Sequence, residues 1–212
     1  MHVSALVLAA AAVAAQPFQV SMQAPHRETE AEATANAARL VTHVTVGTMA
    51  SVFPEGSENA GHPFALMESH APCHPDGALT FISMPISLMQ RNLKATGGRA
   101  SYALATPRKP STHNEYAIPR VSFIGNLTVL DEVDEKEHAR LRDCFVSYHP
   151  DAKWWIPEDA HGAHVSKWAK FAPHDAYYIG GFGNVGWIGH IPIENFAKEL
   201  EKEKEKKHKH KH

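Results

Sequence analysis

The stretch RVSFIGNLTVL, residues 120–130, alternates more clearly than any other part of the chain: Val121, Phe123 and Leu127 fall on one side, polar or small residues on the other. Period-two alternation is what a strand needs when one face meets a core and the other meets water. The neighbouring segments repeat the theme. Residues 44–52 are β-branched and small, residues 99–105 alternate, and residues 62–68, 78–84 and 165–171 complete a set of short strands. Segments 62–68 and 78–84 are expected to pair antiparallel across the Cys73-His74-Pro75-Asp76-Gly77 loop.

Helices interrupt this series in three places. Residues 28–40 are alanine-rich with acidic residues near the start, and residues 87–96 run from a candidate cap at Ser87 to a stop at Gly97-Gly98. Residues 134–148 form an amphipathic helix that His149-Pro150 ends. Antiparallel strands with a few short helices predict an α+β arrangement, a barrel closed on itself with helices packed outside.

A glycine pattern near the C-terminus offers a competing fold. Gly181-Phe182-Gly183-Asn184-Val185-Gly186 spells GxGxxG, the fingerprint of dinucleotide-binding loops. The context does not match, since that motif must open a helix in a βαβ unit. After Gly186 the chain reads Trp187-Ile188-Gly189-His190, which is strand-like, with no room for a parallel crossover. The glycines are read as the turn of a hairpin between residues 176–179 and 185–188.

The ends of the chain speak to compartment. Residues 1–15 read as a signal peptide, with Val13 and Ala15 placed for cleavage before Gln16. No later segment is long and apolar enough to span a membrane, and residues 16–197 suffice for one domain. An oxidising compartment lets Cys73 and Cys144 pair, the alternative being two separate buried thiols. Asn126-Leu127-Thr128 is a glycosylation sequon inside an apparent strand, so its use depends on the face Asn126 takes. The run from Asn195 begins as a helix, in which Glu199 with Lys202 and Glu201 with Lys204 can pair across one turn. Residues 198–212 become a solvated Lys/Glu/His-rich tail, in which His208, His210 and His212 are candidate metal ligands. A net charge of −2 gives no electrostatic case for nucleic acid.

Five segments in order, ARLVTHVT (38–45), LTFISMPISLMQRNL (79–93), RVSFIGNL (120–127), HPDAKWW (149–155) and GGFGNVGWIGHIP (180–192), resemble the CREG family of secreted glycoproteins. That family is a branch of the pyridoxamine 5'-phosphate oxidase-like split β-barrels. The resemblance implies an FMN-binding-type split barrel and a homodimer, with any cofactor in a cleft between subunits. It does not settle function, because a fold hosts many activities.

In flavin-binding relatives a basic strand and a Ser-basic-basic helix start hold the FMN phosphate. The matching strand here, residues 62–68, has no Lys or Arg and an added acid, Glu68. At the helix start Leu88 and Met89 replace two cations, leaving Ser83, Ser87, Gln90 and Arg91 as phosphate candidates. Elsewhere, His161 and His164 lack a third convergent zinc ligand, and His70-Ala71-Pro72-Cys73-His74 lacks the second cysteine of a haem-attachment motif. Trp154 and Trp155 are expected to cover a barrel end with their N–H groups hydrogen-bonded.

The residues leave three functional readings. One is a secreted glycoprotein that acts by binding an unknown receptor or small molecule, with a degenerate flavin cleft and no catalytic residues. The second is an FMN-dependent oxidoreductase, with the flavin supplying the chemistry. The third is a haem or metal binder using cleft or tail histidines.

Overall fold

The computed structural model describes residues 26–111, 114–157 and 165–209. The proposed signal peptide, His161, His164, His210, His212 and the side chain of His208 lie outside the described set.

Seven antiparallel strands form one sheet among the described residues: β1 (Val46–Val52), β2 (Pro63–Ser69), β3 (Leu79–Ser83), β4 (Arg99–Ala105), β5 (Arg120–Val129), β6 (Lys167–Ile179) and β7 (Ile188–His190). The order is β2-β1-β4-β5-β6-β3, with β7 also on β6. The expected β2–β3 ladder is absent. These strands are the two ends of the sheet and meet only at an isolated bridge, where Ala71 and Thr80 exchange N–H···O bonds of 3.0 and 2.8 Å. The expected closure is corrected accordingly: the barrel is split, and a short loop between two strands did not make them partners.

The strand read in two pieces is the single 13-residue β6. Pro173, inside this strand, has no N–H to donate to a ladder. The sheet absorbs it in a register shift where Ile124 faces Asp175 but Gly125 faces Pro173, leaving His174 as the extra residue of a bulge. Inward residues of the strands, among them Met49, Tyr102, Phe123, Phe171 and Tyr178, are buried in one core.

Helix α1 (Glu30–His43) begins two residues later than predicted, because Thr29 caps it in a reciprocal box with Glu32. Ala33, Ala37 and Val41 on its inner face are buried. Helix α2 (Leu88–Ala95) starts after Ser87, whose side chain makes no capping bond, contrary to expectation. It ends as predicted, with the Gly98 N–H donating to the Leu93 carbonyl at 2.7 Å and Gly98 at φ +76°.

Helix α3 (Glu135–Tyr148) is capped by Asp134. A Cys73–Cys144 disulfide joins it to the loop before β3. Closing a loop of 71 residues stabilises the chain by about 4 kcal/mol in the entropic treatment.

The largest departure is at the C-terminus. The helix expected to start this run continues further than expected, through α4 (Ile193–Lys209), which packs on α1, with the Lys202–Glu199 and Lys204–Glu201 pairs at 2.6 and 2.5 Å. Phe196, Leu200 and Glu203 are buried at helical spacing. Lys207 donates to the Thr42 carbonyl at 2.9 Å and lies 3.7 Å from the centre of the Tyr148 ring. Long lysine stems cover apolar surface while their heads find carbonyls, so composition alone mistook a docked helix for a free one. No described helix is long and apolar enough to cross a membrane.

Candidate functional site

The glycine-rich segment is a structural device. Gly186 passes so close to Gly180 that a Cβ would stand 2.7 Å from the Gly180 carbonyl carbon. The turn is held by Glu28, whose carboxylate accepts from the Trp187 backbone N–H at 2.8 Å, the Asn36 amide at 2.7 Å and the Tyr178 hydroxyl at 3.1 Å. The N–H group of a would-be nucleotide loop is directed at a carboxylate within the chain.

The open edge of the barrel is a better candidate. Beyond the isolated Ala71–Thr80 bridge, β2 and β3 form no ladder among the described residues. The gap between Met67, Glu68 and Ser69 on one side and Ile82 and Met84 on the other is a cavity of about 490 Å³. Val46, Ser87, Gln90, Phe145 and Trp155 complete its wall.

Among the described residues, Glu68 is the only ionisable group in that lining. Burial holds its carboxyl above the usual carboxylate range, and among the described residues it makes no ion pair or side-chain hydrogen bond. Its backbone carbonyl accepts from the Tyr102 hydroxyl at 3.0 Å. That hydroxyl also stands 2.8 Å from His70 Nδ1, and His70 Nε2 stands 3.1 Å from the Val41 carbonyl oxygen. Burial lowers the His70 pKa to about 3, so the imidazole is neutral; with Nε2–H donating to Val41, Nδ1 and the Glu68 carbonyl share the single Tyr102 hydroxyl proton. His149 Nε2 bonds the His70 carbonyl at 2.8 Å, fastening the end of α3 to the same point.

The phosphate candidates divide between two neighbouring cavities. Ser87 and Gln90 border the seam with Glu68. Ser83, Gln90 and Arg91 border a second cavity of about 530 Å³, with Lys94 and Lys167. Lys94 follows Arg91 by three residues on α2 and was open to a sequence reading. Lys167 was not, since the antiparallel β3–β6 register places it opposite Ser83. It is ion-paired with Asp131 at 2.6 Å.

Met89 is fully buried, so the backbone aims this position at the core and not at a phosphate. A phosphate dianion needs cations or converging N–H donors, and the seam offers a carboxylate. It does not fit an anionic head group.

The tryptophans behave differently from expectation. Trp154 is 73% exposed under Lys153, 5.0 Å from its ring centre, and Trp155 is 41% exposed at the seam. Neither indole N–H has a hydrogen-bond partner among the described residues. Asn126 is exposed on β5, and its Nδ2 donates to the Gly97 carbonyl at 3.1 Å. No group of three or more His, Cys, Asp or Glu placed to hold a metal occurs among the described residues.

Residues 28–198 match the family described as CREG, beta-barrel. No curated protein matches the sequence. Among solved structures, a heme binding protein from Mycobacterium smegmatis superposes with TM-score 0.62 at 20% identity, over 81% of this chain and 61% of that one. Campylobacter jejuni ChuZ gives 0.55 at 11% identity, over 74% and 61% respectively. A conserved hypothetical protein from Mycobacterium tuberculosis gives 0.51 at 17% identity, over 75% and 89%. This chain thus spans about three-fifths of the length of the first two. At such identities these likenesses speak to the split-barrel fold alone.

Proposed function

Because the chain belongs to the CREG β-barrel family, we propose that it is a secreted, dimeric split-barrel glycoprotein that acts by binding, its flavin phosphate site lost. The observation that carries this reading is Glu68 in the open seam, in a lining that contains no Lys or Arg among the described residues. A lost charge-assisted phosphate bond weakens binding by about 1.5–3 kcal/mol, so two such losses lower affinity by several hundred-fold or more.

Secretion draws on the apolar N-terminal run and the disulfide, since disulfides persist in oxidising compartments. Dimerisation draws on the outer sheet face, where Val46, Thr48, Ala103, Ser122 and Tyr177 surround a shallow cavity of about 400 Å³. Asn126 lies four residues along β5 from Ser122, roughly 13 Å at the rise of a strand. A glycan there leaves that end of the sheet free for a second subunit.

The second reading, an FMN-dependent oxidoreductase, draws on Arg91, Lys94 and Lys167 around the cavity beside the seam. A visible spectrum and an FMN titration of the protein separate the two. The binding reading expects no FMN affinity tighter than about 10 μM. Sub-micromolar FMN retention overturns it in favour of the flavin enzyme. A Soret band in the same spectrum makes haem the ligand, and metal lost on deleting residues 207–212 assigns it to the tail histidines.

A further inference from the structure

The seam has a chemistry of its own once the anionic cofactor is set aside. Its lining joins one carboxylate, three short polar groups and a largely apolar wall. Glu68 supplies the charge, Ser69, Ser87 and Gln90 supply neutral donors and acceptors, and Met67, Met84 and Trp155 supply apolar and aromatic surface over the buried Phe145.

A carboxylate held half out of water with no described partner is a standing electrostatic cost. A ligand that brings a positive charge removes that cost. A neutral ligand leaves it in place, and an anion adds repulsion. The volume of about 490 Å³ falls within the range of small-molecule sites. Aromatic and thioether groups next to a single carboxylate are the surroundings that suit an ammonium joined to an apolar body.

We infer that the seam between β2 and β3 is a binding site for a small monocationic amine with an apolar or aromatic body. Its ammonium donates to the Glu68 carboxylate, and the body lies against Trp155 and the two methionines. Ser87 and Gln90, expected to serve a phosphate, instead present a hydroxyl and an amide to the same ligand. The raised proton affinity of Glu68 agrees with this arrangement, because burial without a counter-charge produces it. The inference rests on the reading that the flavin phosphate site is lost.

The test is isothermal titration of the full chain with three probes of matched shape: phenethylamine, 2-phenylethanol and phenylacetate. The amine is expected to bind at least about tenfold more tightly than the alcohol, with phenylacetate weakest, the gap a charge-assisted hydrogen bond provides. Glu68→Gln should erase the preference and bring amine and alcohol together. Trp155→Leu should weaken amine and alcohol alike.

Equal binding of the three probes by the unaltered protein, which needs no variant to fold, overturns the inference. So does an amine preference that survives Glu68→Gln. FMN titrated in parallel keeps the two proposals distinct. Tight FMN binding sinks the reading beneath the inference, whereas indifferent amines with no FMN binding sink the inference alone.

Discussion

Two glutamates, Glu28 and Glu68, show how differently the same side chain is used. Glu28 stands at the head of α1 and receives the Trp187 N–H, the Asn36 amide and the Tyr178 hydroxyl, so every direction of its carboxylate toward the protein is occupied. Glu68 stands near the end of β2, half-buried, in the lining of a cavity and with no described group donating to its carboxylate. The first carboxylate shapes a turn and the second is free to meet a ligand. A polar group enclosed with all its partners reports on folding, and one enclosed without them reports on function.

The contrast is sharpened first by removing Glu28. Glu28→Ala leaves three donors without their acceptor and is expected to destabilise the protein by about 3 kcal/mol, partly compensated by water at this half-buried site. Urea unfolding measures it, and hydrogen exchange should show lost protection in residues 180–188 while β2 stays protected. A cost below about 0.5 kcal/mol would place Glu28 with the surface residues.

The histidines extend the comparison at intermediate size. His70 has both ring nitrogens engaged, whereas His74, 6% exposed, has an unpartnered Nε2. Burial and then the nearby Lys170 lower the His74 pKa to about 4, with Asp76 opposing and Arg140 adding to the effect. A depressed folded pKa means that the unfolded chain takes up the proton first. The stability present above about pH 6.5 is therefore lost as pH falls, and the loss is complete near pH 4. At pH 5 this amounts to about 2 kcal/mol.

His74→Leu should flatten the urea midpoint between pH 7 and pH 5 by that amount. The paired carboxylates Glu32, Asp76, Asp131 and Glu137, all held below their usual values, add their own losses only at lower pH. An unchanged slope in His74→Leu would refute the assignment.

The smallest expected effect is the most telling for Glu68. Its folded pKa is raised, so its charged form opposes folding as pH rises past the unfolded value. Glu68→Gln should leave stability unchanged or raise it by under about 1 kcal/mol at neutral pH. A loss of 2 kcal/mol or more would reveal a structural partner and erase the contrast with Glu28.

Much of the fold was legible in the chain. The alternation of residues 120–130, the acidic starts of α1 and α3 and the Gly97-Gly98 stop each carry their signal within a few neighbouring residues. The candidate site was legible in part. Glu68 stands out as a departure from a basic pattern, with Ser87 and Gln90 among the phosphate candidates beside it, but Trp155 is expected only to cover a barrel end and Lys167 is unremarkable. Their roles depend on which strands become neighbours, and strands far apart in sequence meet by packing that no local pattern encodes.

What the sequence determined alone was local: strand period, helix caps, the shortage of cations on β2 and the two cysteines. Only the tertiary structure decided that β2 and β3 part after one bridge, that Glu68 lines the resulting gap, and that a charged C-terminal run docks on α1. The physical reason is that propensity and period act within a turn or two of chain. The partner of a strand edge or of a carboxylate is set by the global arrangement that buries the most apolar surface at the least polar cost.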